Sequence, residues 1–277
     1  MIFQRIDLDT EHGVYMNAYL HEPSQQENSC RPAVVVCPGG GYHCCAPHES
    51  DPIALQYLAA GYHAFVVYYS LGERAAFPQP LLDLSRAMKI IRGNCEDWNL
   101  NPNQIAVCGF SAGGHLTASL GTLWNHPEIA ARSCCELGEN RPNALILAYP
   151  VITPYSWMRP ALPRLIGDRD REETERLLDC SRNVGPHTPP SFLVHTFMDN
   201  AVSVEESLDF ANALERQDIP FELHIFPDGP HGMGLGDPKA YPSFARWMEL
   251  SVLWLNRLFG EKEKKNPSNR AKQTRDC

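Results

Sequence analysis

The sequence has no long hydrophobic run, whereas a helix that crosses a bilayer needs about 20 consecutive apolar residues. Residues 1–7 lack the basic stretch followed by an apolar stretch that marks a secretory signal, so we expect a cytoplasmic protein. Basic residues are also in deficit, with 24 Lys and Arg against 33 Asp and Glu and a formal net charge of -9. Because nucleic-acid binding depends on basic surface, we expect neither a membrane span nor a nucleic-acid partner.

Cys-x-x-Cys pairs, a common mark of structural zinc sites, are absent although the chain has ten cysteines. In a chain of 277 residues without a leader, free thiols in a reducing compartment are favoured over a disulfide framework. A group of potential metal ligands lies close together in sequence, but a plain loop is the favoured interpretation, and we expect no metal site and no cofactor. These residues are His43, Cys44, Cys45, His48 and Asp51.

The sequence does contain a regular alternation of short apolar runs with helical patterns. The run Val34-Val35-Val36 is apolar throughout, as in a strand that is buried on both faces. Alternating strands and helices predict an α/β fold with a mostly parallel central sheet and helices on both faces. The strand candidates are residues 14–20, 33–37, 62–69, 105–109, 144–148, 191–195 and 221–226, and the helix candidates are 52–60, 81–98, 112–124 and 204–217.

The last predicted helix covers residues 242–259, where apolar side chains recur every three or four residues, as in a helix packed on a core. The segment 260–277 is rich in Glu, Lys and Asn, and we expect it to be disordered. Residues 1–259 are therefore expected to form a single domain. Within it, the proline-rich segment 153–190 is too long for a simple connection, and it forms either a small cap or a surface excursion with one helix.

The sharpest motif is Gly109-Phe110-Ser111-Ala112-Gly113, which follows the apolar run 105–108 and opens a predicted helix. Gly-x-Ser-x-Gly between a strand and a helix is the nucleophile elbow, a turn that holds the serine in a strained conformation. The two glycines leave room for the turn, so that the Ser111 hydroxyl stands at the top of the sheet. The alternative, a glycine-rich structural turn, is disfavoured by this context.

A serine nucleophile needs a base and an acid that orients the base, and on this fold they follow in the order Ser, Asp or Glu, His. His231 lies in the turn after strand 221–226, where parallel sheets place their sites, so it is the candidate base. Asp199 follows strand 191–195 and is the candidate acid, which would hold His231 in the productive tautomer. His195 ends that strand and could line the site, and the competing acids are Glu205, Glu206 and Asp209.

Residues 38–42 read Pro-Gly-Gly-Gly-Tyr and follow the buried strand 33–37. Consecutive glycines let backbone N–H groups approach a ligand oxygen, so this loop suits an oxyanion hole, with a second donor at Ala112, the residue after the nucleophile. A phosphate-binding loop is the alternative. The Gly-x-x-x-x-Gly-Lys and dinucleotide-binding spacings that would support it are absent.

These motifs resemble a known family. Residues 38–42, 109–115 and 226–236 are similar to those of α/β-hydrolase esterases related to acetyl xylan and feruloyl esterases, the BD-FAE-type group. The resemblance implies an α/β-hydrolase fold and a catalytic triad of Ser111, Asp199 and His231. It also implies that the oxyanion is bound by the N–H groups of Gly40, Gly41 and Ala112.

The resemblance further implies hydrolysis of short-acyl carboxylic esters, with acetyl groups on carbohydrates as expected substrates and an acetylated oligosaccharide as the expected small-molecule partner. The candidate stacking platforms for a sugar ring are Tyr42, Tyr155 and Trp157, against the alternative that they are packing or surface aromatics. Two other functions stay open: an aminopeptidase or amidase with the same triad, and a non-catalytic ligand-binding protein on the same fold. The sequence does not decide between a monomer and a homo-oligomer.

Overall fold

One sheet organises the chain, of which the computed structural model describes residues 1–22, 30–155 and 161–265. The strands in these ranges are β1 (Ile2–Asp9), β2 (Val14–Leu20), β3 (Arg31–Cys37), β4 (His63–Tyr68), β5 (Leu100–Phe110), β6 (Ala144–Ala148), β7 (Ser191–Thr196) and β8 (Phe221–Phe226). They follow the order β1-β2-β4-β3-β5-β6-β7-β8 across the sheet. The strands β3 to β8 run parallel, whereas β1 and β2 are antiparallel to their neighbours.

The central strands bury both of their faces. In β3, Val35 and Cys37 belong to the core on one side of the sheet. Val34 and Val36 belong to the core on the other side, and all of these side chains are fully buried. Because neither face of the strand meets water, no polar residue alternates with the apolar ones, which explains the continuous valine run.

Helices cover both faces, which confirms the predicted α/β architecture. On one face lie α1 and α8, and on the other lie α2, α3 and α7. None of the helices within the described ranges is both long and apolar enough to cross a membrane. The helices are α1 (Asp51–Ala59), α2 (Gln79–Gly93), α3 (Ser111–Leu123), α4 (Pro127–Ser133), α5 (Leu162–Ile166), α6 (Arg171–Leu178), α7 (Glu205–Arg216) and α8 (Trp247–Lys265).

Several elements at exposed or polar positions differ from the prediction, including α4, which was not predicted, and β5, which begins at Leu100 and not at residue 105. The edge strand β1 is not identified by the sequence patterns, because most of its side chains are only partly buried or exposed. The helix predicted over 81–98 ends at Gly93, since glycine and asparagine are poor in a helix interior. The Asn94 side chain closes this end by donating to the carbonyl oxygen of Ile90 (2.7 Å).

The C-terminal helix also has shifted bounds. A 3-10 turn at Phe244–Arg246 precedes α8, which begins at Trp247 rather than at residue 242. The helix passes the predicted end at Phe259 and continues to Lys265, inside the segment 260–277 for which we expected disorder. Glu and Lys are good helix formers, so this extension does not need buried apolar side chains. Residues 266–277 lie outside the described residues.

The segment 153–190 contains two helices in its described part, α5 and α6, rather than the single helix of the surface-excursion hypothesis. Arg169, which lies between these helices, forms a bidentate ion pair with Glu128 of α4, with distances of 2.7 and 2.9 Å between the guanidinium nitrogens and the carboxylate oxygens. The backbone N–H of Phe77 donates to the carbonyl oxygen of Leu165 in α5 (2.8 Å). Both contacts attach this part of the segment to the body of the domain.

Substitutions in the core and at the surface should have different effects on stability. Leu193 of β7 is fully buried, whereas Leu253 of α8 is 59% exposed. We expect Leu193→Ala to lower the free energy of unfolding by about 2–5 kcal/mol, because it removes buried methyl groups and leaves a cavity. Leu253→Ala, the control, should change it by less than about 0.5 kcal/mol. Urea denaturation measures both, and equal effects of the two substitutions would contradict the described packing.

Candidate active site

The turn between β5 and α3 holds Ser111 in a conformation that its neighbours make possible. Ser111 has φ = 51°, in the left-handed region that most residues avoid. A Cβ atom on Gly109 would lie 2.2 Å from the carbonyl oxygen of Gly113, and one on Gly113 would lie 2.2 Å from that of Cys37. Neither position can carry a side chain without moving the backbone. The strained turn therefore presents the Ser111 side chain at the carboxyl end of the sheet.

The structure brings the three predicted triad residues together. His231, in the loop after β8, places its Nε2 atom 2.8 Å from Ser111 Oγ. Its Nδ1 atom lies 2.7 Å from Oδ2 of Asp199, in the loop after β7. A carboxylate only accepts hydrogen bonds, so Nδ1 carries a proton and Nε2 is the ring nitrogen that accepts the hydrogen bond of the Ser111 hydroxyl. The acid in contact with His231 is Asp199, as predicted, rather than one of the competing carboxylates of α7.

Hydrogen-bond donors surround the Asp199 carboxylate, whose side chain is 1% exposed. Its Oδ1 atom accepts the N–H groups of Ala201 (2.9 Å) and Val202 (2.8 Å), while His195 Nε2 lies 3.4 Å from Oδ2. Burial alone would raise the pKa of this carboxyl, but the hydrogen bonds from two histidines and two backbone N–H groups hold the pKa below its ordinary value of 3.8. Asp199 is therefore ionised at neutral pH.

His195 lies buried behind the site, so the expectation that it could line the site is wrong. Its ring is fully buried, with Nδ1 2.8 Å from Ser207 Oγ and Nε2 3.0 Å from the carbonyl oxygen of Val202. A carbonyl oxygen only accepts, so Nε2 carries the proton and points toward both that oxygen and Asp199. The buried position follows from β7, whose last residues pack inside the sheet.

The glycine loop after β3 faces the same space as Ser111. Gly40 and Gly41 have φ values of 122° and 63°. The Gly40 carbonyl accepts the N–H groups of His43 (2.9 Å) and Cys44 (3.2 Å), which closes a tight turn. Gly40 and Gly41 line a cavity of about 300 Å³ together with Ser111 and His231. Ala112, the other predicted donor, follows Ser111 in the first turn of α3, where the helix dipole favours negative charge.

The predicted sugar platforms do not form a group. Tyr42 is 4% exposed, and its hydroxyl lies 2.8 Å from Nδ1 of His115, so it cannot stack on a substrate and that prediction is wrong. Its φ of 60° turns the side chain into the core, where burial lowers the pKa of His115 to about 4 and keeps that ring neutral. Tyr155 is 44% exposed, with the Arg182 guanidinium 5.9 Å from its ring. Trp157 lies outside the described residues.

Two residues at the site were not identified from the sequence. Glu49 lines the cavity, and its carboxylate accepts the N–H of Gly39 (2.8 Å) and the hydroxyl proton of Tyr149 (2.7 Å). Tyr149 directly follows β6 and packs edge-on against the His231 ring, with centroids 5.1 Å apart. A signal was available: Tyr149 ends a parallel strand at the same edge as the triad, which is where side chains of such sheets converge.

A groove of about 450 Å³ with a mixed polar and apolar lining adjoins the cavity. His43 lines both spaces, and Arg164 of α5 donates to its ring (3.0 Å). The groove lies between the turn that connects β1 to β2 and the loop after β4, and its polar lining includes His12, Tyr15 and Arg74. It therefore extends the space near Ser111 along the carboxyl edge of the sheet.

The potential metal ligands in the segment 43–51, for which a plain loop is the favoured interpretation, contact other groups of the protein. His48 Nε2 lies 2.8 Å from the carbonyl oxygen of Gly232, and Asp51 accepts a hydrogen bond from Tyr68 (3.3 Å). In the part of the chain that the structure describes, no three His, Cys, Asp or Glu side chains lie close enough together to hold a metal ion.

The environment of Asp199 predicts a pH-dependent contribution to stability. Its folded pKa is lowered, so the contribution is present above the unfolded pKa of about 3.9 and is lost as the pH falls through the folded pKa. We expect Asp199→Asn to be less stable than wild type at pH 7, with a difference that narrows as the pH falls below about 4. Urea denaturation across this range measures it.

Asp209→Asn is the matched control for this measurement. Burial, then the nearby charges of Glu205 and Asp179, raises the pKa of the Asp209 carboxyl. Its ionised form is therefore disfavoured by folding, and its replacement should not reduce stability at pH 7. The interpretation fails if Asp199→Asn shows the same loss at pH 3 as at pH 7.

Known proteins share both the sequence and the structure of this chain. The BD-FAE family matches residues 18–214. An endo-1,4-beta-xylanase B of Butyrivibrio fibrisolvens is 35% identical over 82% of this chain and 36% of that protein. An acetylxylan esterase of Xylanibacter ruminicola is 30% identical over 76% of this chain and 42% of that protein. The chain thus spans less than half the length of these curated relatives.

Solved structures match over nearly the whole length of both chains. The acetyl ester-xyloside bifunctional hydrolase of Caldicellulosiruptor lactoaceticus is 33% identical with a TM-score of 0.76, covering 92% of this chain and 96% of that chain. A carboxylesterase of Lactobacillus plantarum is 27% identical with a TM-score of 0.83, covering 93% and 98%. The likeness confirms the α/β-hydrolase fold that the motifs predict. The match over residues 18–214 shows that the chain belongs to the BD-FAE family.

Proposed function

We propose that this chain is a serine esterase that hydrolyses short-acyl carboxylic esters, with acetyl groups on carbohydrates as its substrates. The observation that carries the proposal is the continuous hydrogen-bond chain from Asp199 through His231 to Ser111, with distances of 2.7 and 2.8 Å. Such a chain turns a weakly nucleophilic hydroxyl into one that can attack an ester carbonyl. The two relatives named for acetyl ester chemistry support the choice of substrate.

In the first half of the reaction, Ser111 Oγ attacks the ester carbonyl carbon and transfers its proton to His231 Nε2. The ionised Asp199 carboxylate stabilises the resulting imidazolium through the proton on Nδ1. The negative charge that develops on the former carbonyl oxygen is stabilised by the N–H groups of Gly40, Gly41 and Ala112. When the tetrahedral intermediate collapses, the alcohol leaves with the proton from His231 and the acyl group stays on Ser111.

In the second half, a water molecule takes the place of the alcohol. His231 accepts a proton from this water as its oxygen attacks the acyl-enzyme, and the same N–H groups stabilise the second oxyanion. Collapse of this intermediate releases the carboxylic acid and returns the proton from His231 to Ser111. The cavity of about 300 Å³ at Ser111 supports a small acyl group.

The groove that adjoins the cavity supports a polyhydroxylated alcohol. It begins at His43, beside the loop that would bind the oxyanion. Its polar side chains can exchange hydrogen bonds with sugar hydroxyls, which a simple alkyl alcohol lacks. We therefore propose that the saccharide part of the substrate lies in this groove while the acetyl group lies at Ser111.

Substitution of the nucleophile tests the esterase proposal. We expect wild type to hydrolyse p-nitrophenyl acetate and Ser111→Ala to lose at least about 1,000-fold in kcat, because no other group forms the acyl-enzyme. Ser119→Ala is the control and should keep wild-type activity, because Ser119 lies on the same helix but its hydroxyl is hydrogen-bonded to the Cys180 thiol. Acetyl esters should be hydrolysed faster than butyryl or octanoyl esters.

Two results would contradict this proposal. Faster turnover of an aminoacyl anilide than of acetyl esters would favour an aminopeptidase or amidase. Absence of turnover on every ester and anilide, with ligand binding retained, would favour a non-catalytic protein on the same fold.

A variant of the groove tests where the saccharide lies. Arg74, whose side chain is 40% exposed, lines the groove and lies 3.7 Å from Asp9. We expect Arg74→Ala to reduce kcat/KM about 3- to 10-fold on acetylated xylo-oligosaccharides, because it removes one hydrogen bond between a solvent-screened, partly exposed guanidinium and a sugar hydroxyl. The reduction on p-nitrophenyl acetate should be smaller, since its planar alcohol has no hydroxyls to bind. Arg246→Ala, at an exposed position elsewhere (side chain 69% exposed), is the control, and equal losses on both substrates would contradict the assignment.

A further inference from the structure

Glu49 is a buried carboxylate that the proposed reaction does not use. It ends the 3-10 turn Pro47–Glu49, is 2% exposed and lines the cavity at Ser111. Burying a charge is costly unless it is paired or hydrogen-bonded. Among the described residues, no Lys or Arg forms an ion pair with it, and His48, whose side chain is 57% exposed, lies 3.7 Å away. Hydrogen bonds must therefore compensate the burial of this charge.

The hydrogen bonds of Glu49 connect the two loops that form the site. Its Oε2 atom accepts the N–H of Gly39, in the glycine loop, at 2.8 Å. Its Oε1 atom accepts the Tyr149 hydroxyl proton at 2.7 Å, and the Tyr149 oxygen in turn accepts the N–H of Gly234 at 2.8 Å. Gly234 follows His231 in the same loop, and its carbonyl accepts the indole N–H of Trp247 at 2.9 Å.

The hydrogen-bond partners of Glu49 suit a carboxylate, which only accepts. Both groups that face it, the Gly39 N–H and the Tyr149 hydroxyl, act as donors. An amide at this position would either face Gly39 with a donor and lose that bond, or face Tyr149 with a donor and reverse that bond, with the Tyr149 hydroxyl proton turned away. A carboxylate accepts both bonds in the arrangement that the structure has.

The contacts of this network are close to the reacting groups on both sides. A Cβ atom on Gly39 would lie 2.6 Å from Glu49 Oε2, so the glycine loop rests directly on the carboxylate. On the other side, the Tyr149 ring stands edge-on to the His231 ring, with an interplanar angle of 69°. Movement of the carboxylate would therefore shift the N–H donors of the glycine loop and the imidazole relative to each other.

We propose that Glu49, through Tyr149, is a positioning residue that fixes the glycine loop relative to the His231 loop, an inference that rests on the proposed esterase function. Neither residue exchanges protons with the substrate. Their effect is on the distance between the oxyanion donors and the base, on which the stability of the tetrahedral intermediate depends. Loss of the link should lower the rate of acyl transfer more than it weakens substrate binding.

The test compares Glu49→Gln and Tyr149→Phe with Glu206→Gln. Glu206 is a matched control, a buried carboxylate (4% exposed) that accepts the N–H groups of Ile152 and Thr153 after β6. We expect Glu49→Gln to lower kcat on p-nitrophenyl acetate about 10- to 100-fold with KM changed less than about 3-fold. Tyr149→Phe keeps the ring but removes the hydroxyl, and it should also lower kcat with little change in KM. Glu206→Gln should lower Tm but leave kcat at the wild-type value.

Two further measurements separate positioning from a structural role. The double variant Glu49→Gln/Tyr149→Phe should be no slower than the slower single variant, because both cut the same link. The rate at which a fluorophosphonate labels Ser111 should fall in proportion to kcat, since attack of Ser111 on phosphorus with loss of fluoride also needs His231 as base and N–H donors at the phosphoryl oxygen. If Glu49→Gln does not fold, the same kcat and labelling measurements are made on Tyr149→Phe alone.

Two outcomes overturn the inference in different ways. In the first outcome, wild type hydrolyses esters and Ser111→Ala does not, while Glu49→Gln and Tyr149→Phe keep the wild-type kcat and lower only Tm, as Glu206→Gln does. This result would show that the positioning inference alone is wrong. If wild type neither hydrolyses any ester nor reacts with the fluorophosphonate, the esterase proposal fails, and the positioning role fails with it.

Discussion

The site depends on a contact in which two backbones meet with no side chain between them. A Cβ atom on Gly113, in the first turn of α3, would lie 2.2 Å from the carbonyl oxygen of Cys37 at the end of β3. From the other side, one on Gly39 would lie 2.8 Å from the carbonyl oxygen of Phe110. The serine turn and the glycine loop are therefore held at backbone contact distance. The positions of Ser111 and of the N–H groups around it follow from this single constraint.

Buried carboxylates hold the loops at the carboxyl edge of the sheet in place. Where a parallel strand ends, its backbone N–H groups leave the ladder and need new acceptors. Buried acid side chains, from the same loop or from a following helix, supply them after four of the strands, and their burial shows that these groups serve the interior rather than the surface. The pairs are Glu49 with Gly39 after β3, Asp83 with Ser70 after β4, Glu206 with Ile152 after β6, and Asp199 with Val202 after β7.

The sequence predicts those parts of the molecule in which local pattern and burial agree. The bounds of β2 and β6 are recovered because their apolar runs are short and are closed by turn residues. Ser111, Asp199 and His231 are found because each follows a parallel strand, and the sheet then brings them together.

Side-chain direction is less accessible from the sequence. Tyr42 follows the glycine loop, but its left-handed backbone turns it inward, a feature that residue type does not reveal. Glu49 and Tyr149 are paired across 100 positions of the chain, and neither lies in a recognisable motif. The end of α2 at Gly93 depends on side-chain capping and on propensity, which compete too closely for pattern reading to separate.

The edge position of β8 has a consequence for inactivation by heat. This strand is bonded to β7 on one side and ends the sheet on the other, and Ile225 within it is 42% exposed. Ser111 follows β5 near the middle of the sheet, whereas His231 is attached to this last strand. Sheet margins open at lower free energy than sheet centres. Warming should therefore separate His231 from Ser111 while most of the molecule is still folded, so that the arrangement on which the proposed reaction depends is lost before the fold.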